Sequence, residues 1–346
     1  MIGVLIVNLG TPDSPNTPDV RKYLREFLMD GRVIDFPFIP RWMLVNLIIA
    51  PFRAPKSAKI YKEVWTEKGS PLKVYGYEVE RLLREILPAN YEVKLAMRYQ
   101  SPSIDTALAE FKVKGYEKII VLPMFPQYAS ASTGSVQEKV MEIVSNWQII
   151  PSIDFISNFY DNELFLDTIT DIAQKHIQKE KYDHFLFSYH GLPERQIRKG
   201  DCSNTCLKKE QFSEGNHVEG CCKSIHKDNQ YCYRAQCFAT TRLIISRLGL
   251  SQENCTTSFQ SRLGRDPWIK PYTDDIIKEF DKKGYKKVLA FSPSFVSDCL
   301  ETTIEVGDEY KELFEEYGGE HWQLVESLND HPTWIQCLKE MITKRS

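Results

Sequence analysis

Short apolar runs alternate with longer segments of helical periodicity along the whole chain. The apolar runs predict eight strands, at 2–8, 91–98, 118–123, 148–157, 184–189, 255–260, 287–292 and 322–327. Helical patterns lie between or after them, at 71–87, 103–114, 161–177, 273–284, 300–316 and 332–343. Continuous apolar strands that alternate with helices are typical of parallel sheets covered by helices. The pattern therefore predicts an α/β fold.

The strands divide evenly between the two halves of the chain, which predicts two similar α/β lobes. We place the first lobe at 1–155 and the second at 156–346, with the last helix able to pack on either. Two segments interrupt the alternation of strands and helices. Residues 30–56 are rich in proline, aromatic and aliphatic residues, and residues 201–231 are polar and cysteine-rich without periodicity. We interpret both segments as insertions into a regular scaffold.

Composition and charge narrow the class of protein. The chain has 346 residues, of which 42% are hydrophobic and 26% charged, and its formal net charge is −3. These values are typical of a folded globular protein and give no basic excess for a nucleic-acid partner. The mean hydropathy of −0.37 excludes a polytopic membrane protein. The first residues predict a strand and lack the basic n-region of a signal peptide, so we expect a cytoplasmic protein.

The longest apolar run, residues 42–52, is flanked by Arg41 and Arg53. It is too short to span a bilayer, which needs roughly 20 apolar residues. We consider that it covers a large flat ligand or rests on a membrane surface, with the arginines facing anionic groups. The alternative is an ordinary helical hairpin inside the core.

The residues that follow the strands carry the candidate chemistry, because ligands of open α/β sheets bind beyond the carboxyl ends of the strands. His190 ends one predicted strand at a Gly-Pro turn, where it could accept a proton or bind a metal. Asp298, Glu301 and Glu305 follow another strand of the same lobe, spaced to share one helix face. One imidazole and several carboxylates suit a transient divalent metal such as iron. The alternatives are a histidine that caps a strand and acids that stabilise a helix start.

Cysteines are concentrated in one part of the chain. Six of the nine fall within 36 residues: Cys202, Cys206, Cys221, Cys222, Cys232 and Cys237. Clustered cysteines in a reducing compartment more often bind zinc or an iron–sulfur cluster than form disulfides. Free thiols are the alternative, and spacing alone does not decide between zinc and a cluster.

Ordered motifs across the whole chain give it a close resemblance to the ferrochelatases, which insert ferrous iron into a porphyrin. The N-terminal motifs are Asn8-Leu9-Gly10-Thr11-Pro12, Gly69-Ser70-Pro71-Leu72, Phe125-Pro126-Gln127-Tyr128 and Ser132-Thr133-Gly134-Ser135. The C-terminal motifs are Ser188-Tyr189-His190-Gly191-Leu192-Pro193, Phe259-Gln260-Ser261-Arg262, Asp266-Pro267-Trp268 and Phe295-Val296-Ser297-Asp298-Cys299-Leu300-Glu301-Thr302.

This resemblance implies two Rossmann-like lobes with a porphyrin cleft between them. It implies that His190 binds iron or accepts pyrrole protons, that Glu301 faces it, and that Asp298 and Glu305 extend an acidic path. Residues 30–56 would form a lip over the macrocycle and, in membrane-associated members, would touch the bilayer. Further positions similar to the porphyrin pocket of the family are Leu9, Arg98, Tyr128 and Trp268.

The resemblance also bears on substrate and cofactor. Leu9 and Gln127 stand where coproporphyrin-type members have Tyr and His, which favours protoporphyrin IX as substrate and protohaem as product, the terminal step of haem biosynthesis. A coproporphyrin ferrochelatase, a chelatase for cobalt or nickel and a non-catalytic tetrapyrrole-binding protein are the alternatives. The stretch 201–237 resembles an internal 2Fe–2S site of some bacterial members. The expected ligands are Cys206, Cys222, Cys232 and Cys237, with Cys202 and Cys221 as substitutes.

Overall fold

The computed structural model describes residues 1–201, 203, 206–207, 220–262, 264 and 266–345. The chain divides into two compact units. The first contains Met1–Phe125, Ala129–Asn158 and Asn329–Ser346, and the second contains Pro126–Tyr128 and Phe159–Leu328. The C-terminal segment belongs to the first unit rather than the second, because its helix Pro332–Thr343 packs on the helix Pro71–Ile86.

Each unit contains one four-stranded parallel sheet flanked by helices, which confirms the predicted fold class. The strands of the first unit are β1 (Ile2–Gly10), β2 (Tyr91–Tyr99), β3 (Lys118–Pro123) and β4 (Ser152–Phe155), and those of the second are β5 (His184–His190), β6 (Cys255–Gln260), β7 (Lys287–Phe291) and β8 (His321–Leu324). The orders are β2-β1-β3-β4 and β6-β5-β7-β8. In both sheets the strand that comes first along the chain occupies a central position.

The helices of the first unit are α1 (Thr17–Leu28), α2 (Phe38–Met43), α3 (Ala50–Val64), α4 (Pro71–Ile86), α5 (Ile104–Lys114), α6 (Ser135–Val144) and α12 (Pro332–Thr343). Those of the second are α7 (Glu163–Ile177), α8 (Glu194–Gly200), α9 (Tyr233–Leu248), α10 (Thr273–Ile277) and α11 (Tyr310–Glu316). Three π-helical segments, Leu44–Ile49, Ser130–Gly134 and Glu301–Glu309, and three short 3₁₀ turns, Cys221–Lys223, Gln252–Asn254 and Asp281–Lys283, complete the described helical structure.

Two predicted helices differ from the observed ones. The helix expected at 273–284 is α10 followed by a 3₁₀ turn, which ends at Gly284 with a left-handed φ of 75°. The helix expected at 300–316 is α11 preceded by the π-helix Glu301–Glu309. A stretch of helical periodicity does not separate the i→i+4 hydrogen bonds of an α-helix from the i→i+5 bonds of a π-helix, so the sequence could not predict this.

Each unit has its own apolar core beside its sheet. In the first unit Leu5 and Val121 of the sheet pack with Phe111 of α5 and Val140 of α6. In the second, Leu186 and Val288 pack with Phe280, Phe314 and Trp322. Burial of these side chains holds the helices on the sheets, so that the carboxyl ends of the parallel strands lie at fixed positions at one edge.

Candidate active site

His190 is the last residue of β5, and its backbone is held on several sides. Its N–H donates to Ser294 Oγ over 3.3 Å, and its carbonyl oxygen accepts the hydroxyl of Tyr233 over 2.8 Å. The next N–H, that of Gly191, donates to the carbonyl oxygen of Gln260 over 2.8 Å. A strand end with three such restraints presents the imidazole in a fixed position.

The imidazole of His190 has one nitrogen engaged within the chain. Nδ1 lies 2.7 Å from the carbonyl oxygen of Gly191. Because a carbonyl oxygen only accepts, Nδ1 carries the proton and Nε2 of the neutral ring has a lone pair. The ring of Trp268 lies beside it, with 6.5 Å between the ring centroids. His190 can therefore act as a base or as a metal ligand through Nε2.

Glu301 begins the π-helix that follows β7, and a buried glutamine connects it to the strand of His190. Gln260 faces His190 in the β5–β6 register, and its Nε2 donates to the backbone oxygen of Glu301 over 3.0 Å. The carboxylate of Glu301 contacts the thiol of Cys299. Burial, together with the charge of Glu301, raises the pKa of Cys299 well above its usual value, so this residue stays a neutral thiol.

Glu305 lies one turn further along the same π-helix and accepts three hydrogen bonds. Oε2 accepts from Gln260 Nε2 over 3.0 Å and from Ser261 Oγ over 2.6 Å, while Oε1 accepts from the hydroxyl of Tyr310 over 3.1 Å. Burial and the negative charge of Glu305 raise the pKa of Tyr310, so its hydroxyl remains a donor. Three donors suit an ionised carboxylate, which only accepts.

Asp298 has a contact that the acids of the π-helix lack. Its Oδ1 accepts the backbone N–H of Ser327 over 3.1 Å, which holds the segment after β8 against the loop after β7. Through Gln260 the structure connects Glu301 and Glu305 to the end of β5, and one hydrogen bond of Asp298 runs toward the segment after β8.

Trp268 and Tyr128 are the two expected porphyrin residues of the second unit. The segment of Trp268 pairs with the turn after His190, through an antiparallel bridge between Pro193 and Trp268. The backbone N–H of Tyr128 donates to Gln236 Oε1 over 2.7 Å, and its ring packs edge-on against that of Tyr231. Only Trp268 has a described contact with His190.

Leu9 and Arg98 are the two expected porphyrin residues of the first unit. Leu9 is near the carboxyl end of β1 and packs against the apolar cluster that α1 forms with α3. Arg98 on β2 donates to Asp30 Oδ2 over 2.7 Å and to Ser135 Oγ over 2.7 Å. Burial opposes the charge of Asp30, but hydrogen bonds from Ser135, the Arg32 backbone and Tyr99, and the charge of Arg98, lower its pKa overall. Arg98 therefore anchors the start of the segment 30–56.

The apolar segment 42–52 is not the buried hairpin considered as an alternative. Residues 38–64 form one helical run in which Val45, Ala50 and Ala54 face the core. Its opposite face leaves large apolar side chains exposed: Phe38, Ile39, Trp42, Met43, Leu47, Ile48 and Phe52. Arg41 donates to the carbonyl oxygens of Ile34 and Phe36. Among the described residues, no helix combines the length and the apolar character needed to cross a bilayer.

Four of the clustered cysteines have neighbouring thiols. Cys232 contacts both Cys206 and Cys222, and the sulfurs of Cys221 and Cys222 lie 3.9 Å apart. The Cys206 contact and burial raise the pKa of Cys232 to about 12, against the opposing effect of Cys222. The Cys221 contact lowers the pKa of Cys222, but the Cys232 contact and burial raise it to about 12 overall.

Cys237 differs from the other expected ligands because it lies within α9, where its thiol contacts Tyr233. Cys202 lies outside the described residues. Within the part of the chain that the structure describes, no group of three or more His, Cys, Asp or Glu side chains has the arrangement of a metal site. The thiols of Cys206, Cys222 and Cys232 are thus close together without forming a finished set of ligands.

Comparison with known proteins decides the family. A family model described as ferrochelatase matches residues 1–346. A ferrochelatase of Legionella pneumophila strain Lens is 46% identical over 343 residues, which cover 99% of each chain. One of Coxiella burnetii strain Dugway 5J108-111 is 42% identical over 344 residues, covering 99% of this chain and 93% of the relative. The chain belongs to the ferrochelatase family. The predicted enzyme class, a metal chelatase of haem biosynthesis, is thereby confirmed.

Solved structures support the fold of this ferrochelatase-family chain. A Bacillus subtilis protein, SirB with Fe³⁺, aligns with a TM-score of 0.55 at 10% identity, covering 99% of this chain and 94% of that one. The sirohydrochlorin chelatase SirB of the subspecies spizizenii, in complex with cobalt, aligns with a TM-score of 0.53 at 10% identity and the same coverage. At this identity the likeness shows a shared two-sheet α/β fold.

The sequence prediction gave no role to several side chains that hold the candidate site. Gln260 and Tyr233 contact the His190 segment, and Asp30 binds Arg98. Gln260 ends a predicted strand and belongs to the motif Phe259-Gln260-Ser261-Arg262, so its position was a usable signal. Tyr233 and Asp30 lie far from their partners in sequence and carried no such signal.

Proposed function

We propose that the protein inserts Fe²⁺ into protoporphyrin IX and forms protohaem, the terminal step of haem biosynthesis. The observation that carries this proposal is the pairing, within one unit, of a histidine whose Nε2 has the lone pair of the neutral ring and a helix that begins with Glu301. Gln260 joins the strand end of His190 to that helix. A base and a carboxylate ligand are the two functions that metal insertion requires.

The reaction exchanges two pyrrole N–H protons for one ferrous ion. In our proposal Nε2 of His190 accepts a pyrrole proton or binds the entering iron, since its lone pair serves either role. The carboxylate of Glu301 is the opposing iron ligand and proton acceptor, because oxygen ligands bind Fe²⁺ weakly enough to release it. Glu305 and Asp298 then carry protons away from Glu301. Both are acceptors in the same unit.

We propose that the porphyrin contacts Trp268 and Tyr128 in the second unit and Leu9 and Arg98 in the first. Trp268 lies beside the imidazole of His190 and offers an aromatic face to a flat macrocycle. Arg98 is held by Asp30, and its remaining N–H groups suit a propionate carboxylate.

Protoporphyrin IX is favoured over coproporphyrin by an apolar residue at Leu9 and a neutral one at Gln127. Gln127 is buried, and its Nε2 donates to Thr240 Oγ1 over 3.1 Å. Initial rates with the two porphyrins, measured side by side with Fe²⁺, test the assignment. We expect the higher kcat/KM with protoporphyrin IX. A higher value with coproporphyrin would assign the other substrate, and binding of both without turnover would establish a non-catalytic tetrapyrrole-binding protein.

We propose in addition that the cysteine-rich stretch holds a 2Fe–2S cluster, which supplies one-electron redox chemistry when bound. Support comes from the contacts of Cys232 with Cys206 and Cys222, and from Arg234, whose Nη1 donates to Cys222 Sγ over 3.2 Å. A buried guanidinium beside thiols favours a site of net negative charge. Cys206, Cys222 and Cys232 are three ligands in this proposal. Cys237 is the fourth, with Cys202 and Cys221 as substitutes.

We also propose a cytoplasmic protein that rests on the inner face of the membrane through residues 42–52. Support for the membrane contact comes from the contiguous exposed apolar side chains of the helical run 38–64. None of the described cysteines forms a disulfide, as is usual for a protein of a reducing compartment. Insertion of apolar side chains at the bilayer surface would also place the lip near an apolar porphyrin substrate.

A further inference from the structure

Gln260 connects the histidine of the site to both glutamates of the π-helix. It ends β6, is only 1% exposed, and faces His190 in the register of the parallel pair. Its backbone oxygen accepts the N–H of Gly191, the residue whose own carbonyl fixes Nδ1 of His190. The main chain of Gln260 is thus bonded directly to the turn that orients the imidazole.

The side-chain amide of Gln260 is directed at the other half of the site. Nε2 donates to the backbone oxygen of Glu301 and to Oε2 of Glu305, each over 3.0 Å. Both amide protons are therefore used on the π-helix that carries these acids. One residue fixes the start of that helix and the carboxylate of its next turn relative to the strand of His190.

The two acceptors on the π-helix fix which way this amide faces, and a chain of buried hydroxyls on its other side agrees with that orientation. Ser188 Oγ donates to Gln260 Oε1 over 2.7 Å, so Ser188 must accept from Thr273 Oγ1, 3.0 Å away. Thr273 in turn must accept from Ser258 Oγ, 2.9 Å away, because each hydroxyl has one proton. A flipped amide would place Oε1 against two acceptors. Of the two atoms of the amide group, Nε2 is therefore the one that faces Glu301 and Glu305.

We infer that Gln260 is a positioning residue for iron insertion, which holds Glu301 and Glu305 in register with His190 through its backbone and its amide together. The inference rests on the proposed roles of His190 and Glu301. Since Gln260 is buried and bonded to the two glutamates proposed to handle iron and protons, it acts on the metal side of the reaction. Its loss should reduce kcat and leave porphyrin binding nearly unchanged.

Two variants of similar shape test this inference. Gln260→Met fills the same volume without hydrogen bonds, and Gln260→Glu keeps an acceptor for Ser188 but turns a carboxylate toward Glu305. We expect kcat to fall by about tenfold or more in Gln260→Met and further in Gln260→Glu, with the KM for porphyrin within about twofold. Gln137→Met is the matched control, because Gln137 donates to Ser157 in the other unit.

The outcomes separate this inference from the proposed function. If the wild type forms haem and both Gln260 variants keep its kcat within about twofold, Gln260 only fills space and the inference is wrong. An equal loss in both variants accompanied by a large rise in the porphyrin KM also contradicts it. A wild type without turnover overturns the proposed function itself. If neither Gln260 variant folds, Ser188→Ala is used, and the inference then requires a lower kcat at unchanged porphyrin KM.

Discussion

The carbonyl oxygen of Gly191 accepts a hydrogen bond from Nδ1 of His190 over 2.7 Å, which fixes the tautomer of the imidazole from within its own turn. The same peptide segment is bonded to Gln260 through the N–H of Gly191. Ring orientation and strand register are therefore coupled at a single residue. A change that moves Gly191 should affect both stability and the presentation of Nε2.

Replacement of Gly191 by alanine tests this coupling. A Cβ atom at Gly191 would lie 2.7 Å from the carbonyl oxygen of Gln260 and 3.1 Å from the ring of Trp268. The backbone of Gln260 cannot move away from this Cβ easily. We therefore expect the free energy of unfolding of Gly191→Ala, measured by urea denaturation, to be lower by about 1–3 kcal/mol. Gly200→Ala is the control, since nothing lies within 4 Å of a Cβ there. Equal stability of the two variants would contradict the close approach at Gly191.

His184 gives the second unit a stability that depends on pH. Burial, with a smaller effect of Lys283, lowers the pKa of its imidazole from 6.5 to about 3. The ring stacks on Tyr285 and contacts Phe280, and Nε2 bonds Thr256 Oγ1. The unfolded chain takes up this proton below its pKa of 6.5, and the folded chain only near 3. Stability is therefore complete above that unfolded pKa and is lost as the pH falls toward 3.

We expect the loss to approach about 1.4 kcal/mol for each pH unit within that window. The measurement is the free energy of unfolding in urea at several pH values, for the wild type and for His184→Phe. In the His184→Phe variant the free energy of unfolding should depend less steeply on pH, by about 1.4 kcal/mol for each pH unit in this window. His226→Phe, at an exposed histidine, should keep the wild-type slope. Parallel curves for all three proteins would show that His184 is not the group responsible.

The proposed cluster predicts coloured protein. Freshly purified wild type should contain about two irons and two sulfides per chain, and Cys222→Ser should lose both together with the visible absorption. Cys255→Ser is the matched control, because Cys255 is an equally buried cysteine on β6. Metal analysis and an optical spectrum of each protein decide the matter. If the wild type is colourless and contains one zinc per chain, the stretch holds a structural zinc site and not a cluster.

The proposed membrane contact of the lip, residues 30–56, predicts that the protein binds membrane surfaces. Ile39 is 69% and Phe52 74% exposed, and each apolar side chain that enters the bilayer contributes at most about 1.5–3 kcal/mol. We expect Ile39→Glu with Phe52→Glu to weaken sedimentation with anionic phospholipid vesicles by tenfold or more. Val113→Glu, at an apolar residue outside the lip that is 88% exposed, should bind as the wild type does. If the wild type does not bind the vesicles, the proposed membrane contact is ruled out.

The sequence was informative about the sheets because continuous apolar strands carry a local signal. All eight predicted strands are present, and their carboxyl ends carry His190 and Leu9 near the expected positions. The π-helix at Glu301–Glu309 was missed because apolar periodicity does not reveal the hydrogen-bond pattern. The stretch 201–237 was expected to resemble one internal 2Fe–2S site, and its last five residues, which include Cys237, belong to α9.

Contacts between residues distant in sequence were the least predictable part of the site. Gln260 and Glu305 are 45 residues apart, and Arg98 and Asp30 are 68 apart. Their hydrogen bonds depend on how the strands are ordered, which residue types alone do not specify. The resemblance to the family led us to expect Arg98 near a porphyrin, whereas its hydrogen bond to Asp30 could be found only from the structure.

The central claim is that Nε2 of His190 takes part in the insertion of iron, and the rate of haem formation by His190→Ala tests it most directly. We expect kcat with Fe²⁺ and protoporphyrin IX to fall by about 10²–10⁴-fold, with an unchanged far-ultraviolet circular dichroism spectrum. His176→Gln is the control, because His176 bonds Glu326 away from the site. Haem formation at the wild-type rate by folded His190→Ala would contradict the account.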